Sequence, residues 1–276
     1  MVARGKKIVI GNWKAYLEKG EDMRALALAL KRHEGKFKNT DVWLAPPYPF
    51  LPMLVSALKA SHIRVGAQNV SASGSGAHTG EVTAMMLKGA GASFSIVGHS
   101  ERRAMGESNE SVAAALESAL SAGLKVVLCI GERERDEHGE YFEFLEHEMR
   151  TALANVLPQH APKLIVAYEP IWAIGKSAGD AARPEAVRET AIFIRKLLAE
   201  RFGRGAGLKV PVLYGGSVEK ENAAALVAQA DVGGFLVGHA SADSGEFLAI
   251  IEACSEQGFK TQKSNSKQTT NLKPKK

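Results

Sequence analysis

The chain has 276 residues, of which 45% are hydrophobic and 24% are charged, proportions typical of a globular protein with a large core. Its two unclustered cysteines, Cys129 and Cys254, argue against a disulfide framework or a zinc site and fit a reducing compartment. No run of 18 apolar residues and no N-terminal signal pattern occur, so we expect a cytoplasmic protein.

The net charge of +5 comes from the C-terminal segment. Residues 260–276 contain six lysines and no acid, and removing these six charges from +5 leaves −1 for the rest of the chain. The net positive charge of the chain therefore does not predict a nucleic-acid-binding surface on the folded part. Residues 258–276 hold too few apolar residues to fold by burial, so we predict a disordered tail, with a weak polyanion contact as the alternative.

Eight short apolar runs recur along the chain, and each predicts a β-strand. Most are continuous rather than alternating, which is typical of strands that are buried on both faces. The runs cover residues 7–11, 41–45, 63–67, 94–98, 125–130, 163–168, 210–214 and 234–238.

Helical stretches separate these runs. Ser108 is placed to cap one helix, and Pro184 stands where a first-turn proline belongs. Strands that alternate with helices indicate an α/β fold with a parallel sheet. Eight such units without a linker-like break predict one domain, a closed eight-stranded (β/α)8 barrel over residues 1–257. The predicted helices cover residues 21–33, 110–121, 141–157, 185–202, 219–229 and 246–254.

Polar side chains follow the predicted strands at the ends where parallel barrels hold their active sites. Asn12 and Lys14 follow the first strand, His99 and Glu101 follow the fourth, and Glu169 follows the sixth. Together they would bring an amide, an ammonium, an imidazole and carboxylates to one rim, as proton transfer beside a stabilised oxyanion requires. Taken singly, Lys14 could be a solvated surface charge, His99 a packed histidine and Glu169 a helix cap.

The segment AYEPIWAIGK at 167–176 sets Glu169 at the tip of a strand, directly before a loop with stiff ends and a glycine joint. Such a loop is suited to open and close over a base. The predicted lid consists of Pro170, Ile171, Trp172, Ala173, Ile174, Gly175 and Lys176.

Glycine-bearing turns follow the seventh and eighth predicted strands. In barrels, backbone N–H groups after these two strands form a phosphate site. We therefore predict phosphate contacts from Ser217, Gly238 and His239, with ordinary turns as the alternative. The spacing of the histidines shows no metal-ligand pattern, so no metal site is predicted.

Five motifs, in order over residues 5–255, resemble triosephosphate isomerases: GNWK at 11–14, GHSERR at 98–103, AYEPIWAIGK at 167–176, YGGSV at 214–218 and GFLVGHAS at 234–241. The resemblance implies a TIM barrel that interconverts dihydroxyacetone phosphate and D-glyceraldehyde 3-phosphate through a cis-enediolate. It implies no cofactor and a place in glycolysis and gluconeogenesis. Two rivals stay open: another phosphosugar enzyme on this barrel, such as an aldolase, and a non-catalytic phosphate-binding barrel that serves as an interaction protein.

The resemblance also implies a role for each site residue. Glu169 would be the base that moves the carbon-bound proton, and His99 would be the neutral electrophile that donates to the enediolate oxygens. Asn12 and Lys14 would polarise the carbonyl and hold the oxyanion, and Glu101 would be a buried acid near Lys14. The phosphate would be held by Gly175, Ser217, Gly238 and His239.

The stretch AHTGE at 77–81 is similar to the third loop of the family, through which these enzymes form homodimers. The resemblance implies that Thr79 reaches toward Asn12 and Lys14 of the partner subunit. Two departures from the family pattern bear on the site. The lid is slightly longer, which leaves open where Tyr214 would latch it, and His239 stands where a glycine is common.

Overall fold

The computed structural model describes residues 6–269 except 38, 137 and 176–180, with side chains as far as Glu256. Its strands are parallel and lie in the order β3-β2-β1-β8-β7-β6-β5-β4. All eight predicted strands are confirmed. They are β1 (Lys7–Asn12), β2 (Thr40–Ala45), β3 (Arg64–Val65), β4 (Phe94–Val97), β5 (Lys125–Ile130), β6 (Leu164–Tyr168), β7 (Val212–Tyr214) and β8 (Gly234–Val237).

The chain just after β3 joins the two ends of this sheet. Ala67 pairs with Ser95 of β4 in a parallel bridge. The N–H of Ala67 donates to the Phe94 carbonyl at 2.9 Å, and the N–H of Ile96 donates to the Ala67 carbonyl at 2.9 Å. The sheet therefore closes into the predicted single-domain (β/α)8 barrel, which leaves no open sheet edge.

Helices surround the barrel, and those predicted from the sequence are found. The N–H of Ser111 donates to the Ser108 side chain, which caps its helix as expected. Three further helices, α2 (Leu51–Ala57), α3 (Ala84–Gly89) and α4 (Ser100–Ala104), were not predicted because each is too short to show a helical period. The helices are α1 (Gly20–Arg32), α2 (Leu51–Ala57), α3 (Ala84–Gly89), α4 (Ser100–Ala104), α5 (Asn109–Ser121), α6 (Glu140–Leu153), α7 (Pro184–Gly207), α8 (Lys220–Gln229) and α9 (Ser244–Thr269).

Two layers of apolar side chains hold the fold together. The inner layer fills the barrel with residues such as Ile10, Phe94 and Leu213. The outer layer lies between strands and helices and includes Val9 and Val126. Because neighbouring strand residues point to opposite faces, the buried residues along most strands show that both faces are covered, although Arg64 of β3 is exposed. This explains the continuous apolar runs.

Three helix ends lie four or more residues from the predicted bounds. Helix α7 continues past residue 202 to Gly207 across a kink at Gly203. Helix α6 ends at Leu153 rather than at residue 157, and a 3-10 helix starts at Pro158, because a proline disfavours helical geometry in the residue before it and crowds the carbonyl four residues earlier. Helix α9 continues to Thr269, beyond residue 257, where the sequence predicts the barrel to end. Disorder of the tail over residues 258–276 stays a prediction, and residues 270–276 lie outside the described part. No described helix is both long and apolar enough to cross a bilayer.

Candidate active site

A cavity of about 510 Å³ opens at the C-terminal ends of the strands. Four of the predicted catalytic residues line it, namely Asn12, Lys14, His99 and Glu169. The predicted phosphate contacts Gly175, Ser217, Gly238 and His239 line it as well. Residues from the ends of strands β1, β4, β6, β7 and β8 thus meet in one place.

Glu169 follows β6 directly and is only 2% exposed. Its Oε2 atom accepts a hydrogen bond of 3.0 Å from the N–H of Ser100, the first residue of α4. Gly215 gives the side chain room, since a Cβ there would lie 2.9 Å from the Glu169 Cγ atom. Beneath it, burial and the charge of Glu169 raise the pKa of the Cys129 thiol well above its ordinary value.

His99 faces Glu169 across the cavity floor. Its Nε2 atom lies 3.4 Å from the Glu169 Oε1 atom, and its Nδ1 atom accepts a hydrogen bond of 3.2 Å from the N–H of Glu101. An Nδ1 atom that accepts cannot carry a proton, so this contact favours the neutral ring with its proton on Nε2. His99 therefore presents a donor to the cavity.

Lys14 supplies the cation that lines the cavity. Its Nζ atom lies 2.7 Å from Oε1 of Glu101. Its φ of 44° lies in the left-handed region, a conformation that costs free energy for a side-chain-bearing residue and is often found at functional sites. The N–H of Lys14 donates to Asn12 Oδ1 at 3.2 Å, and the Gln68 amide donates to the Lys14 carbonyl at 2.9 Å. Two neighbours thus hold the unusual backbone in place.

The position of Glu101 differs from expectation. The resemblance implies a buried acid, but the Glu101 side chain is 53% exposed in the single subunit, because it stands on the first turn of α4, at the surface. It contacts Lys14 and does not line the cavity. Thr79 is also exposed and is not a cavity-lining residue of its own subunit.

The end of the cavity where the sequence predicts phosphate contacts is built from turns. Gly238 packs under Lys14, since a Cβ there would lie 3.4 Å from the Lys14 Cε atom. His239 begins a short 3-10 helix, and its ring makes an edge contact with the Tyr16 ring at a centroid distance of 5.0 Å. Backbone N–H groups at such turns and helix starts suit an anion. Within the described residues, no His, Cys, Asp or Glu cluster could hold a metal ion.

The predicted lid is described from Pro170 to Gly175, and Lys176 lies outside the described residues. Ala173 accepts a hydrogen bond of 3.0 Å from Ser217 Oγ, and Ile174 and Gly175 line the cavity. The predicted lid segment therefore runs from Glu169 to Ser217, one of the predicted phosphate contacts.

Tyr214, at the end of β7, is fully buried. Burial raises the pKa of its phenol. Among the described residues its hydroxyl has no hydrogen-bond partner, so the described part shows no latch between Tyr214 and the lid.

The buried Glu132 supports the segment after Glu169 and was not among the residues predicted from the sequence. It is 1% exposed, accepts hydrogen bonds from the Tyr168 hydroxyl at 2.7 Å and from Trp172 Nε1 at 2.8 Å, and its carbonyl accepts from the N–H of Ile171. It thus fixes the start of the lid. The sequence contains a signal for Glu132, because this acid follows the fifth predicted strand after one glycine, whereas Glu169 directly follows the sixth.

Comparison with known proteins agrees with this geometry. The family model for triosephosphate isomerase matches residues 7–254. A triosephosphate isomerase from Nitratidesulfovibrio vulgaris is 42% identical over 90% of this chain and 100% of its own length. Those from Herminiimonas arsenicoxydans and Fusobacterium nucleatum are 41% and 40% identical over 99% and 98% of their lengths. With the barrel and its clustered side chains, these matches show that the chain belongs to the triosephosphate isomerase family.

Proposed function

We propose that Glu169 and His99 carry the proton transfers by which this isomerase interconverts dihydroxyacetone phosphate and D-glyceraldehyde 3-phosphate. The observation that supports these roles is the distance of 3.4 Å between His99 Nε2 and Glu169 Oε1, inside a cavity that also holds Lys14 and Asn12. A base and a hydrogen-bond donor thus stand together beside a cation.

The reaction needs both a base and an electrophile. A proton on carbon beside a carbonyl is weakly acidic, so a carboxylate alone is a poor base for it. Glu169 takes this proton while His99 Nε2–H and the Lys14 ammonium stabilise the charge that forms on the enediolate oxygens. The proton then returns from Glu169 to the neighbouring carbon, and the hydroxyl proton of one enediolate oxygen passes to the other by way of His99 Nε2. The two isomers are thus interconverted without net oxidation or reduction.

Phosphate binding completes the proposal. Turns at Ser217 and at Gly238-His239 offer backbone N–H groups to the phosphate, and Lys14 adds a positive charge. Closure of the lid over Glu169 excludes water and restrains loss of phosphate from the enediolate. The contact between Ser217 Oγ and the Ala173 carbonyl supports a link between the phosphate end and the lid.

A coupled assay with glyceraldehyde 3-phosphate tests these roles through the Glu169→Gln variant. The amide cannot accept the proton, so we expect kcat to fall by about 10³-fold or more, with an unchanged circular dichroism spectrum. Glu146→Gln is the matched control, because Glu146 is an exposed residue of α6 that pairs with Arg150; it should keep full activity. Near-full activity of Glu169→Gln would show that another group is the base.

We also propose that the enzyme is a homodimer joined through residues 71–80 and their surroundings. Thr79 lies in an exposed loop, and the following helix α3 exposes Met85 and Met86 by 67% and 59%. Exposed large apolar side chains beside a long loop are a feature of protein interfaces. Across this interface Thr79 would reach toward Lys14 of the partner subunit.

The cytoplasm is the proposed place of action. Cys129 and Cys254 are both free and buried, which suits a reducing compartment. Localisation of a tagged full-length chain by cell fractionation tests this.

A further inference from the structure

A buried ion pair lies behind the two proposed catalytic residues. Arg103 Nη1 of α4 lies 3.2 Å from Glu148 Oε1 of α6, and the two side chains are 11% and 4% exposed. Neither lines the cavity. The free energy needed to remove both charges from water offsets much of their Coulomb attraction, so a buried ion pair by itself is weak evidence for a stabilising role. The other hydrogen bonds of Arg103 and Glu148 indicate the role of the pair.

The arginine holds the turn that carries His99. Arg103 Nε donates to the Gly98 carbonyl at 2.8 Å, and Nη1 donates to Asn109 Oδ1 at 2.5 Å. Gly98 immediately precedes His99 and has a φ of 71°, so its conformation is one that glycine adopts readily and other residues do not. The guanidinium therefore braces this turn from behind.

The glutamate holds the backbone on which Glu169 rests. Glu148 Oε2 accepts a hydrogen bond of 3.0 Å from the N–H of Gly131. Gly131 is packed so closely that a Cβ would lie 1.7 Å from the Glu169 carbonyl oxygen. The preceding residue, Ile130, accepts a hydrogen bond of 2.8 Å from the N–H of Glu169. A shift of Gly131 would therefore shift Glu169.

We propose that the Arg103–Glu148 pair is a positioning device that sets the distance between the His99 imidazole and the Glu169 carboxylate. One partner holds the turn of His99, the other holds the support of Glu169, and the ion pair ties the two together. The proposal rests on the catalytic roles proposed above. Burial raises the pKa of Glu148, while the Arg103 charge and the Gly131 N–H lower it, so both contacts favour the ionised form that the pair needs.

The test compares Arg103→Met, Arg103→Lys and Glu148→Gln by kcat, KM, inhibition by inorganic phosphate and thermal unfolding. Small misplacements of reacting groups reduce rates strongly, so we expect kcat to fall by about 10- to 100-fold in Arg103→Met. KM and the phosphate inhibition constant should change less than about threefold, because the phosphate end is untouched. Arg103→Lys keeps the charge without the fork of donors and should recover part of kcat.

Arg195→Met is the matched control. Arg195 Nη1 lies 3.2 Å from Asp231 Oδ2, in a partly buried pair with side chains 22% and 33% exposed, and neither residue lines the cavity. This variant should lower the unfolding temperature and leave kcat per folded subunit unchanged. The positioning role is overturned if Arg103→Met and Glu148→Gln also lower only the unfolding temperature and leave kcat unchanged. It is overturned as well if KM and the phosphate inhibition constant worsen by as large a factor as kcat.

Two further comparisons separate the possible failures. If Arg103→Met does not fold, the more conservative Arg103→Lys and Glu148→Gln decide by the same criteria. If Glu169→Gln and His99→Gln lose activity while the pair variants keep it, the positioning role alone is wrong. If Glu169→Gln and His99→Gln keep activity, the catalytic roles are wrong and the positioning role is wrong with them.

Discussion

The imidazole of His99 and the carboxylate of Glu169 lie 3.4 Å apart, with side chains only 9% and 2% exposed. Each also has a second anchor, since Glu169 accepts from the N–H of Ser100 and His99 accepts from the N–H of Glu101. Both anchors are N–H groups in the first turn of α4. The first turn of one short helix therefore orients the proposed base and the proposed electrophile, even though they follow different strands.

His99→Gln should lower kcat sharply. The amide keeps a donor but cannot relay a proton between the enediolate oxygens, so we expect a loss of about 10²- to 10³-fold with KM changed little. Steady-state kinetics in both directions measure it. The control is His33→Gln, because His33 is a partly buried histidine that does not line the cavity and whose Nδ1 lies 2.9 Å from the Ala29 carbonyl. Equal losses in the two variants would assign His99 a structural role only.

Gly215→Ala should impair the enzyme by displacing Glu169. The new Cβ would lie 2.9 Å from the Glu169 Cγ atom, which is closer than carbon atoms pack, so the carboxylate must move. We expect kcat to fall by about tenfold or more, because the base leaves its productive geometry. Kinetics together with thermal unfolding separate this effect from a loss of fold.

The control for Gly215→Ala is Gly35→Ala. A Cβ at Gly35 would meet no atom within 4 Å, so both activity and stability should be preserved. If Gly215→Ala were as active as Gly35→Ala, Glu169 would not need its observed position.

The sequence was sufficient to predict the barrel because most strands are buried on both faces and therefore appear as continuous apolar runs. Short elements were not predictable in the same way. Strand β3 has only two residues, Arg64–Val65, although the run covers 63–67, because Ala67 leaves the strand to form the isolated bridge that closes the barrel. Helix α4 has five residues, too few for a period, although its first turn anchors the two proposed catalytic residues, His99 and Glu169.

The ends of the predicted strands indicate where the site lies. The residues that support the site from other parts of the chain could be identified only from the three-dimensional structure. Gln68 contacts Lys14 from 54 residues away, and Glu148 on helix α6 accepts a hydrogen bond from Gly131, which follows strand β5. Nothing local marks such partners, because a glutamine in a turn or a glutamate on a helix usually meets solvent. Even the exposure of Glu101 depends on packing around α4 that the motif GHSERR does not show.

Dilution should reduce specific activity if the enzyme works as a homodimer. Thr79 is exposed in the single subunit, and we expect it to support Lys14 of the partner subunit, so separated subunits should be nearly inactive. Activity measured over a range of concentrations should fall in parallel with the dimer fraction from equilibrium sedimentation. A fully active monomer would contradict both the assembly and the proposed role of Thr79.

Alkaline pH should destabilise the fold through Cys254. Burial raises the pKa of its thiol from 9.0 to about 12, and the Lys7 ammonium acts in the opposite direction. In the unfolded chain the thiol loses its proton above about pH 9, whereas the buried thiol keeps it. Between pH 9 and pH 12 the folded state therefore binds one more proton than the unfolded state. The contribution of this thiol to the free energy of unfolding is fully present below pH 9 and is lost as the pH rises toward 12.

Cys254→Ala removes this titration and is the way to isolate it. Urea unfolding at pH 8 and at pH 10 should show a fall in unfolding free energy that is larger in the parent chain than in the variant by about 1 kcal/mol, since one proton contributes at most about 1.4 kcal/mol per pH unit. The cavity left by the alanine lowers stability at both pH values and cancels in the difference. An identical fall in the two proteins would mean that the Cys254 thiol titrates alike in the folded and unfolded chains.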